Sequence, residues 1–501
     1  MKKKFTFIFV LLFYSCLVQS QVFFNNRYII DQTAIIFQRI IQTEDTIITM
    51  GLGSTFYHPF PAKVMFTKFD QEGEVLSYDL ILGDSLTRYF PLSSSTLERK
   101  VIVVGGSGLS QTNESGFYAL YVLDTGLEWI NQYYPPNGWT IFFNSCLFLE
   151  DKILILAGQQ NHNFQSKVSS KLICTDLQGD ILWEKDFGNS NIGFDFFPGG
   201  ITSIQDSGIY IGLHRSDFPA NAITNSHSII LELDLEGNII TQWMNDEINT
   251  DKPEQIIELS DSSLLFVGRH YYGYHNNTPL SQGYICKVDS LNNRDWSLKT
   301  GTPTLPTDMN NIIATMDGNY IAVGVTLDSL SSSQVLTESG HIIKFNIEGE
   351  IIWEKRYFGI DADAEYNRLY DIVELPDSSL LLCGESVDLW ADFPVRGWLL
   401  KLDKNGNLDS TVSIGAPNVI VFENDNLHVF PNPSSEQMAI ELKNKMKIEL
   451  VEIFDVSGIF VESSKYDNVP DFSVHFNISH LNSGVYIVRV NGKYLKKISV
   501  F

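Results

Sequence analysis

Apolar and polar residues alternate along most of the chain in short runs separated by turn residues. Residues 308–359 show the pattern: the runs MNNIIATM, NYIAVGV, HIIKFNI and EIIWEKRY follow one another, with the turns Asp317-Gly318 and Glu348-Gly349. Alternating and β-branched runs broken by Asp, Asn and Gly are typical of antiparallel hairpins. The pattern therefore predicts a unit of four short strands.

The same unit recurs along the chain, and two markers define its period of 52 to 58 residues. The first marker is a polar turn that opens at Asp70, Asp124, Asp176, Asp234, Asp289, Asn346 and Asp403. The second is an apolar strand ending in glycine about twenty residues earlier, at Gly51, Gly105, Gly158, Gly212, Gly268, Gly324 and Gly384. The turn geometry itself selects the Asp and Gly of the first marker, because Asp accepts hydrogen bonds from the following backbone and Gly adopts a positive φ.

A four-stranded sheet of this size cannot bury both faces alone, so the seven units must stack on one another. Radial stacking gives a seven-bladed β-propeller, and the chain is predicted to be all-β. The tryptophans of the fourth strands would pack between neighbouring blades: Trp129, Trp183, Trp243, Trp296 and Trp353.

Two features of the ring stay open. The outer strand of the last blade comes either from NRYIIDQ near the N-terminus or from LDSTVSIG after the last unit. The ring would have six blades if the second unit, with its shortened turn at Asp124, is not a blade.

The blade pattern Asp-x-x-Gly-x-x-x-Trp, as in Asp176, Gly179 and Trp183, resembles quinoprotein-type propellers and the secreted propeller repeats of Bacteroidetes. The resemblance covers about residues 35 to 415. Quinoprotein dehydrogenases imply a pyrroloquinoline quinone cofactor, calcium ligands and a vicinal disulfide. This chain has no Cys-Cys pair and no matching set of residues, so we predict no cofactor.

After residue 415 the period stops, and the tail has the strand rhythm of a small Ig-like β-sandwich. The tail resembles the type A C-terminal sorting domain of the type IX secretion system of Bacteroidetes. The matching positions are Pro431, Asn432 and Pro433, Ile453-Phe454-Asp455 with Gly458, Leu481 with Gly484, Val485 and Tyr486, and Lys496-Lys497-Ile498. Without the resemblance, the tail would be an ordinary terminal β domain.

The sorting-domain resemblance implies a route and a partner. The N-terminal signal would take the chain across the inner membrane, and the type IX machinery would recognise the folded tail at the outer membrane. Proteolytic removal of the tail would then release the protein or attach it to surface lipopolysaccharide, and the residues do not distinguish these fates. We therefore predict a secreted or outer-membrane surface protein.

The N-terminus resembles a secretory signal, with three lysines, the apolar run FTFIFVLLFYSCLV and the small-residue site Val18-Gln19-Ser20. A lipoprotein cleaved at Cys16 is the alternative. The predicted division is a signal peptide at residues 1–20, a propeller at 21–415, a linker at 416–427 and a sorting domain at 428–501.

Charge and cysteine content narrow the function classes. The formal net charge is −25, and loss of the three signal lysines leaves 32 basic against 60 acidic residues, or −28. Such a surface repels phosphate backbones, so we predict no nucleic-acid partner. The widely spaced Cys146, Cys174, Cys286 and Cys383 do not form a disulfide framework or a metal-site pattern, and we expect four small core residues.

Aromatic residues lie in the predicted long loops between the second and third strands, in STFYHPF, QQNHNF, LHRSDF, RHYYGYHNN and DLWADFPVR. Long loops on a rigid scaffold commonly carry function. The predicted ligand face comprises His270, Tyr271, Tyr272 and Tyr274, with His275 nearby, in the fifth blade, and Trp390, Asp392 and Arg396 in the seventh. Rings with nearby donors and acids can stack on sugars or anchor a protein. The alternative is that these side chains cover the blade ends.

Signals for covalent chemistry are weaker. His270 and His275 lack the Cys ligands or helical spacing of a metal site, so we predict no metal. Asp361, Asp363 and Glu365 could flank a glycosidic bond only with another carboxylate nearby, and are expected to form a solvated turn. The chain lacks GxSxG, HExxH and Walker motifs, and we predict no catalytic residue.

The sequence therefore predicts a binding or interaction protein with an unknown glycan or protein ligand. Two alternatives remain: an enzyme acting on glycans with a site at the propeller axis, and a structural component of the cell surface. Inward-pointing carboxylates at the axis would favour the enzyme, and an exposed aromatic patch on one face would favour the binding protein.

Overall fold

The computed structural model describes most of the repeat region and of the tail. The described residues are 23–30, 33–43, 46–55, 62–81, 88–108, 115–136, 138–161, 167–188, 194–204, 208–217, 226–275, 278–303, 305–330, 336–359, 365–388, 395–408, 418–420, 427–442, 447–455, 460–466, 472–491 and 494–501. Within them the chain forms strands and no helix. The predicted signal peptide lies outside these ranges.

Most strands build the ring, four to a blade, in order from the axis to the rim. The first strand is β1 (Phe24–Ile30), and it belongs to the last blade. Blades 1 and 2 contain β2 (Thr33–Gln42), β3 (Ile47–Thr55), β4 (Lys63–Phe69), β5 (Val75–Ile81), β6 (Arg88–Leu97), β7 (Lys100–Gly108), β8 (Ser115–Val122) and β9 (Gly126–Tyr133). Blades 3 and 4 contain β10 (Trp139–Phe148), β11 (Lys152–Asn161), β12 (Lys167–Asp176), β13 (Ile181–Phe187), β14 (Phe194–Ile204), β15 (Gly208–Asp217), β16 (His227–Leu233) and β17 (Ile239–Met244). Blades 5, 6 and 7 contain β18 (Gln255–Glu258), β19 (Leu264–His275), β20 (Thr278–Val288), β21 (Arg294–Thr300), β22 (Thr307–Ala314), β23 (Tyr320–Leu330), β24 (Leu336–Phe345), β25 (Ile351–Tyr357), β26 (Glu365–Glu374), β27 (Leu380–Asp388) and β28 (Val395–Leu402).

The ring has seven blades in the described part of the chain, as the repeat predicts. The divergent second unit is a complete blade, β6–β7–β8–β9. The N-terminal strand β1 closes the ring as the outer strand of blade 7, where Phe24 pairs with Lys401 and Tyr28 with Gly397 of β28. Of the two predicted closing strands, the N-terminal one is therefore correct. A short strand after the last unit, β29 (Asn418–Ile420), pairs in parallel with β1.

The core of the ring lies between the blades. The buried apolar side chains of the described residues form seven clusters, and each spans one junction between neighbours. The junction of blades 7 and 1, for example, packs Tyr28, Phe37 and Phe69 with ring centroids 5.1 to 5.8 Å apart. Cys146, Cys174, Cys286 and Cys383 are free and buried, in agreement with the prediction.

The Asp-Gly turns join the third and fourth strands, and the contacts explain both residue types. In blade 3 the Oδ1 atom of Asp176 accepts hydrogen bonds from the backbone N–H groups of Gln178 and Asp180, both at 2.9 Å. Gly179 in the same turn has a φ of 86°. The prediction that these residues serve the turn is confirmed here.

The tryptophans of the outer strands pack on the same turn of the next blade. A Cβ atom added at Gly237 of blade 4 would lie 2.8 Å from the ring of Trp183 of blade 3. The same relation joins Trp129 to Gly179, Trp296 to Gly349 and Trp353 to Gly406. At the closing junction the ring of Phe24 takes this place against Gly73 of blade 1, and the Tyr28 hydroxyl donates to the Gly73 carbonyl at 2.6 Å.

The second marker glycine faces an irregularity in the inner strand. The pairing of β6 with β7 shifts between Pro91 and Ser93, opposite Gly105, and a Cβ atom there would lie 1.9 Å from the Phe90 carbonyl oxygen. Equivalent close approaches occur at Gly51, Gly324 and Gly384. The prediction that the strand ends at this glycine is wrong, because pairing resumes beyond the bulge and the strand continues.

The tail forms two small sheets. One contains β30 (Leu427–Phe430), β31 (Gln437–Leu442) and β34 (Ser473–Asn477), and the other contains β32 (Leu450–Asp455), β33 (Phe460–Lys465), β35 (Gly484–Val490) and β36 (Tyr494–Val500). Their inner faces share one buried cluster that includes Met438, Val451 and Val488. The predicted sandwich is thus observed.

The adjacent glycines of β7 provide a test of the bulge contact. We expect Gly105→Ala to lower the free energy of unfolding by about 1–3 kcal/mol, because the added methyl group collides with backbone that cannot move freely. Gly106→Ala is the control, since nothing lies within 4 Å of its Cβ position, and it should stay within about 0.5 kcal/mol of the unaltered protein. All eight tryptophans precede residue 415, so tryptophan fluorescence in urea reports on the ring alone. Equal effects of the two substitutions would contradict the bulge contact.

Candidate functional site

The inner strands of all seven blades enclose a channel of about 670 Å³ on the ring axis. Its wall is mainly polar. The polar residues on it include Gln38, Arg39, Ser93, Ser94, Ser95, Thr96, Asn144, Ser145, Thr202, Glu254, Gln255, Asn310, Asn311, Tyr370 and Asp371. Cavities of this size fall in the range of sites for small molecules.

Several amides on the wall join neighbouring blades. The Nδ2 group of Asn144 on blade 3 donates to the Gly199 carbonyl of blade 4 at 3.0 Å. The Nδ2 group of Asn310 on blade 6 donates to the Leu369 carbonyl of blade 7 at 2.8 Å. Both asparagines occupy the bulge of their inner strand, so the bulges also connect the blades around the axis.

The two carboxylates on the channel wall are both engaged. Asp371 accepts hydrogen bonds from the backbone N–H of Ile40 at 2.7 Å and from Nδ2 of Asn311 at 2.5 Å, which links blades 6, 7 and 1. Burial raises the pKa of Asp371, and the nearby charge of Arg39 opposes that rise. Glu254 lies 2.9 Å from Nζ of Lys252 and 3.7 Å from Nη2 of Arg269.

A charged network, here called the Asp251 network, lies beside Glu254 where blade 4 meets blade 5. Oδ2 of Asp251 is 2.9 Å from Nε of Arg269 and accepts a hydrogen bond from the Tyr271 hydroxyl at 2.8 Å. Nδ1 of His214 lies 3.3 Å from the other oxygen, Oδ1. The side chain of Asp251 is 6% exposed, so three side chains hold one buried carboxylate.

The network sets the protonation of its members. Burial alone would raise the pKa of Asp251, but Arg269, His214 and Lys252 outweigh it and the pKa is lowered. Burial lowers the pKa of His214, and the carboxylate of Asp251 opposes that shift without cancelling it. His214 is therefore held neutral next to an ionised Asp251 at neutral pH.

Blade 6 adds a second carboxylate to Arg269. Oδ2 of Asp308 lies 3.3 Å from Nη1 of Arg269, and its other oxygen is 3.3 Å from the Ser281 hydroxyl. Burial raises the pKa of Asp308, against the effect of the guanidinium. Three carboxylates, counting Glu254, thus surround Arg269, so this cation is already neutralised.

His270 lies on the other side of blade 5 and is buried. Its Nε2 atom is 3.4 Å from Oε1 of Glu247, and its ring centroid is 4.8 Å from that of Tyr272. Glu247 also binds Arg294 at 2.7 Å. Burial lowers the pKa of His270, and Lys299 adds to the effect. His270 therefore agrees with the alternative interpretation, in which the predicted ligand-face side chains cover the end of a blade.

Residues 269–277 were predicted to form a loop, but through His275 they lie in β19, which pairs with β20. Tyr272 is 43% exposed, and its hydroxyl donates to Oε1 of Gln282. Tyr274 lies in the same strand opposite Pro279. The loop prediction failed because the ladder runs past a bulge between Tyr271 and Gly273.

A similar charged network joins blades 6 and 7. Nε of Arg368 lies 2.5 Å from Oε2 of Glu338, and its Nη1 atom lies 3.4 Å from Oε1 of Glu385. The Tyr370 hydroxyl donates to that same Glu385 oxygen at 2.6 Å. The Tyr366 ring lies 5.3 Å from the guanidinium carbon. Arg368 is therefore neutralised as Arg269 is.

The remaining predicted residues are either buried or lie outside the described residues. Trp390 and Asp392 lie outside the described residues, as do Asp361 and Asp363. Arg396 is buried on β28. The burial of Arg27 and the positive charge of Arg396 together lower the pKa of Arg27 to about 10. Glu365 is also buried, so the expectation of a solvated turn is wrong for this residue, which begins the inner strand β26.

Sequence reasoning missed the channel and both arginine networks. The network residues occupy two repeated positions of the blade. One position is on the inner strand just before the bulge, as for Arg368, and the other is on the second strand just after the marker glycine, as for Arg269 after Gly268. A comparison of these equivalent positions among the seven repeats identifies Arg269, Arg368 and Glu385. Their pairing across blades could not be derived from spacing.

Two searches of the described residues gave negative results. No group of three or more His, Cys, Asp or Glu side chains in this part of the chain is arranged to hold a metal ion. Nor does any helix long and apolar enough to cross a membrane occur there.

In the tail, the predicted sorting motif lies where the two sheets meet. Pro431, Asn432 and Pro433 follow β30 and precede β31, so they lie between the first two strands of the tail and not at the start of the first. Nδ2 of Asn432 donates to the Lys497 carbonyl at 3.0 Å, and its Oδ1 accepts from the Ser499 N–H at 2.8 Å. The motif thereby fastens one sheet to the last strand of the other.

Two further motif residues lie on β35. Gly484 begins this strand opposite Val500. The Tyr486 hydroxyl donates to the Asn482 carbonyl at 2.9 Å. Gly458 lies outside the described residues, but the strands on either side of it, β32 and β33, pair as the predicted hairpin.

Acid should weaken the ring through its buried histidines. The folded pKa of His214 lies below its unfolded value, so the unfolded chain binds more protons between the two values. The stabilisation is complete above the unfolded pKa of about 6.5 and declines as the pH falls toward the folded value. The raised pKa values of Asp308 and Asp371 act in the opposite direction. We expect the histidine contribution to the free energy of unfolding, followed by tryptophan fluorescence in urea, to fall from pH 7 to pH 5.

His214→Gln keeps a donor near Asp251 and cannot titrate in this range, so the fall should be smaller in this variant. His428→Gln is the control, because His428 is exposed in the tail, and it should leave the pH dependence of the free energy of unfolding unchanged. Asp251 loses its contribution only below its unfolded pKa of about 3.9, outside this window. The same pH dependence in His214→Gln and in the unaltered protein would contradict a neutral buried His214.

The comparison with family models gives one match. Residues 428–500 match the family described as the secretion system C-terminal sorting domain. The match covers all of the tail strands from β30 to β36 except the first residue of β30. A search of curated proteins found no match to the chain.

The comparison with solved structures gives matches of low identity. Puromycin hydrolase matches with a TM-score of 0.45 at 10% identity, over 82% of this chain and 58% of that one. A protein of unknown function from Dyadobacter fermentans gives 0.40 at 11% identity, over 76% and 97%. The α-L-arabinanase of Penicillium chrysogenum gives 0.38 at 10% identity, over 77% and 98%. At these scores none of the three carries an argument about this chain.

The family match and the motif contacts agree on the tail. The Asn432 hydrogen bonds and the two-sheet sandwich are found in the segment that the family covers. Residues 428–500 are therefore a C-terminal sorting domain of the type IX secretion system, which interacts with that machinery, and the protein is secreted or displayed at the cell surface.

Proposed function

We propose that the protein is a binding protein, a secreted or surface-displayed β-propeller that recognises its ligand with the blade face around Tyr272. In this proposal residues 1–20 are the signal peptide, 21–415 the propeller, 416–427 the linker and 428–501 the sorting domain. The ligand face would extend from Tyr272 to the predicted positions Tyr274, Trp390 and Asp392. The other predicted positions, His270, Tyr271 and Arg396, would support this face from beneath, because His270 and Arg396 are buried and Tyr271 is bound to Asp251.

The exposed ring of Tyr272 on a rigid strand carries this proposal. Tyr272 is 43% exposed, and its hydroxyl donates to Oε1 of Gln282. The hydroxyl of the neighbouring Tyr271 donates to Asp251. Nε2 of Gln282 donates in turn to the Gly301 carbonyl at 2.7 Å. An aromatic ring fixed before binding loses little conformational freedom on contact, which favours recognition.

The charges nearby support a neutral ligand. Arg269, on the same strand as Tyr272, is surrounded by carboxylates, and the formal net charge of the chain is −25. An anionic ligand would have to displace these carboxylates. A neutral glycan instead offers apolar ring faces to stack on tyrosine, so we favour a glycan as the ligand of this face.

An enzyme with a site at the axis is the alternative. It needs a carboxylate free to act as acid or base near the channel. Asp371 holds a backbone N–H and an amide, and Glu254 holds two cations. These contacts favour structural roles for both carboxylates, which is why binding is preferred.

Replacement of Tyr272 tests the binding face. We expect the full mature chain to bind one or more glycans on an array, and Tyr272→Ala to weaken binding about tenfold or more because the stacking surface is lost. Tyr134→Ala is the control, since Tyr134 is 72% exposed but belongs to blade 2. Equal losses in both variants, or none in Tyr272→Ala, would contradict the proposal. Release of product from a bound glycan would favour the enzyme.

Export tests the role of the tail. We expect Asn432→Ala to reduce the fraction of protein that leaves the cell, because it removes two hydrogen bonds to β36 of about 1 kcal/mol each. His428→Ala, at an exposed position of β30, should be exported normally. The measurement is the ratio of released and surface-bound protein to retained protein on immunoblots. Normal export of Asn432→Ala would show that this link is dispensable for sorting.

A further inference from the structure

Arg39 is a cation on the channel wall that differs from the other arginines near the axis. It lies on β2 of blade 1, and its Nη1 group donates to the Gln38 carbonyl at 2.9 Å. Among the described residues no carboxylate oxygen lies within 4.0 Å of its guanidinium, whereas Arg269 and Arg368 each contact at least two carboxylates. Arginine offers five donors in a planar fork that fits a carboxylate.

Asp371 does not fill this role. It is near enough for Arg39 to affect its pKa, but its oxygens face Ile40 and Asn311. The other wall carboxylate, Glu254, is matched to Lys252 and Arg269. The channel therefore presents an unmatched positive charge in a chain whose net charge is strongly negative.

Gln38 adds an unmatched acceptor beside Arg39. Its Oε1 atom is buried and has no hydrogen-bond partner among the described residues. Buried polar atoms are hydrogen-bonded in the great majority of cases, so Oε1 of Gln38 lacks a donor. The atom is shielded from solvent in this conformation, and a rotation of the side-chain amide would bring it to the channel. Gln38 is also the bulge residue of its strand, where the ladder with β3 is interrupted.

We infer that the axial channel is a second binding site, for a small hydroxylated carboxylate such as a uronic acid, free or at the end of a glycan chain. Its carboxylate would pair with the guanidinium of Arg39, and one hydroxyl would donate to Oε1 of Gln38 once this amide turns toward the channel. The serine run of blade 2, Ser93–Ser95, supplies further hydroxyl groups on the neighbouring wall. The site goes beyond the Tyr272 face and uses none of its residues.

The charge preference of the two sites differs for one reason. Near Tyr272, Arg269 is neutralised by three carboxylates, so it offers a ligand carboxylate no unmatched charge. In the channel Arg39 has no such partner, and a ligand carboxylate gains charge-assisted hydrogen bonds in a partly desolvated space. A neutral sugar of the same shape lacks that gain.

Calorimetric titration of the full mature chain tests the site with matched probes. D-galacturonic acid should bind, and D-galactose, which has the same ring with a CH₂OH group in place of the carboxylate, should bind about tenfold more weakly or worse. Acetate tests the carboxylate without the hydroxyls and should bind more weakly than galacturonate. A galacturonate trisaccharide that binds more tightly than the monomer would identify a chain end as the natural ligand.

Variants of Arg39 connect the affinity to the channel. Arg39→Gln should weaken galacturonate binding about tenfold or more and leave galactose binding unchanged. Arg39→Lys keeps the charge without the fork and should be intermediate, and it serves as the test if Arg39→Gln does not fold. Lys404→Gln, which removes one charge from an exposed turn of blade 7, is the control and should bind normally. Circular dichroism and tryptophan fluorescence establish that each variant is folded.

Several results would overturn the inference. Equal affinity for galacturonate and galactose would exclude carboxylate recognition, and acetate binding as tight as galacturonate would exclude a role for the hydroxyls. Absence of galacturonate binding to the folded chain, or unchanged binding in Arg39→Gln, would remove the site. Tyr272→Ala should not affect galacturonate binding, so failure of this site and failure of the Tyr272 face can be told apart.

Discussion

The structure depends on the burial of both faces of each blade against its neighbours. A four-stranded sheet has two large faces, and among the described residues the apolar clusters of the ring lie between blades and not within one. No blade is therefore complete before its neighbours are in place. The contact of each outer-strand ring with the next turn, as between Trp183 and Gly237, fixes how far one blade is rotated from the next. The closed ring, the bulges at its axis and the channel all follow from this stacking.

Much of the ring could be predicted from the sequence because the same local constraints recur seven times. The Asp-Gly turns and the outer-strand tryptophans are determined within a blade and its neighbour, so they leave a periodic signal. The marker glycines were detected but misread as strand ends. Glycine is required at these positions by a carbonyl of the adjacent strand, such as the Phe90 carbonyl that lies against Gly105. The bulge that causes this contact is in the partner strand, so the sequence around the glycine does not reveal it.

The candidate sites were less predictable because they join residues from different blades. Asp251 and Arg269 belong to one blade, but His214 and Asp308 reach the same network from the blades on either side. Tyr272 could be proposed from the sequence because a cluster of aromatic residues in a predicted loop is visible there, although the loop itself is part of a strand. Arg39 could not be selected from the sequence. What distinguishes it is that no carboxylate contacts its guanidinium among the described residues, and this becomes apparent only when the surrounding side chains are placed.

The closing strand sets the order in which the protein can be completed. Trp398 of blade 7 donates its indole N–H to Asn25 at 2.6 Å, a contact between residues 373 positions apart in sequence. Bringing such distant segments together costs loop-closure entropy that neighbouring hairpins do not incur, and it makes folding slow. During synthesis the first strand pairs locally only with β2, at Ile30 and Thr33, and it lacks its blade 7 partner β28 until almost the whole propeller region has emerged. Blades 1 to 6 can assemble earlier as an open arc, and this arc exposes one unpaired face at each end until β1 completes the circle.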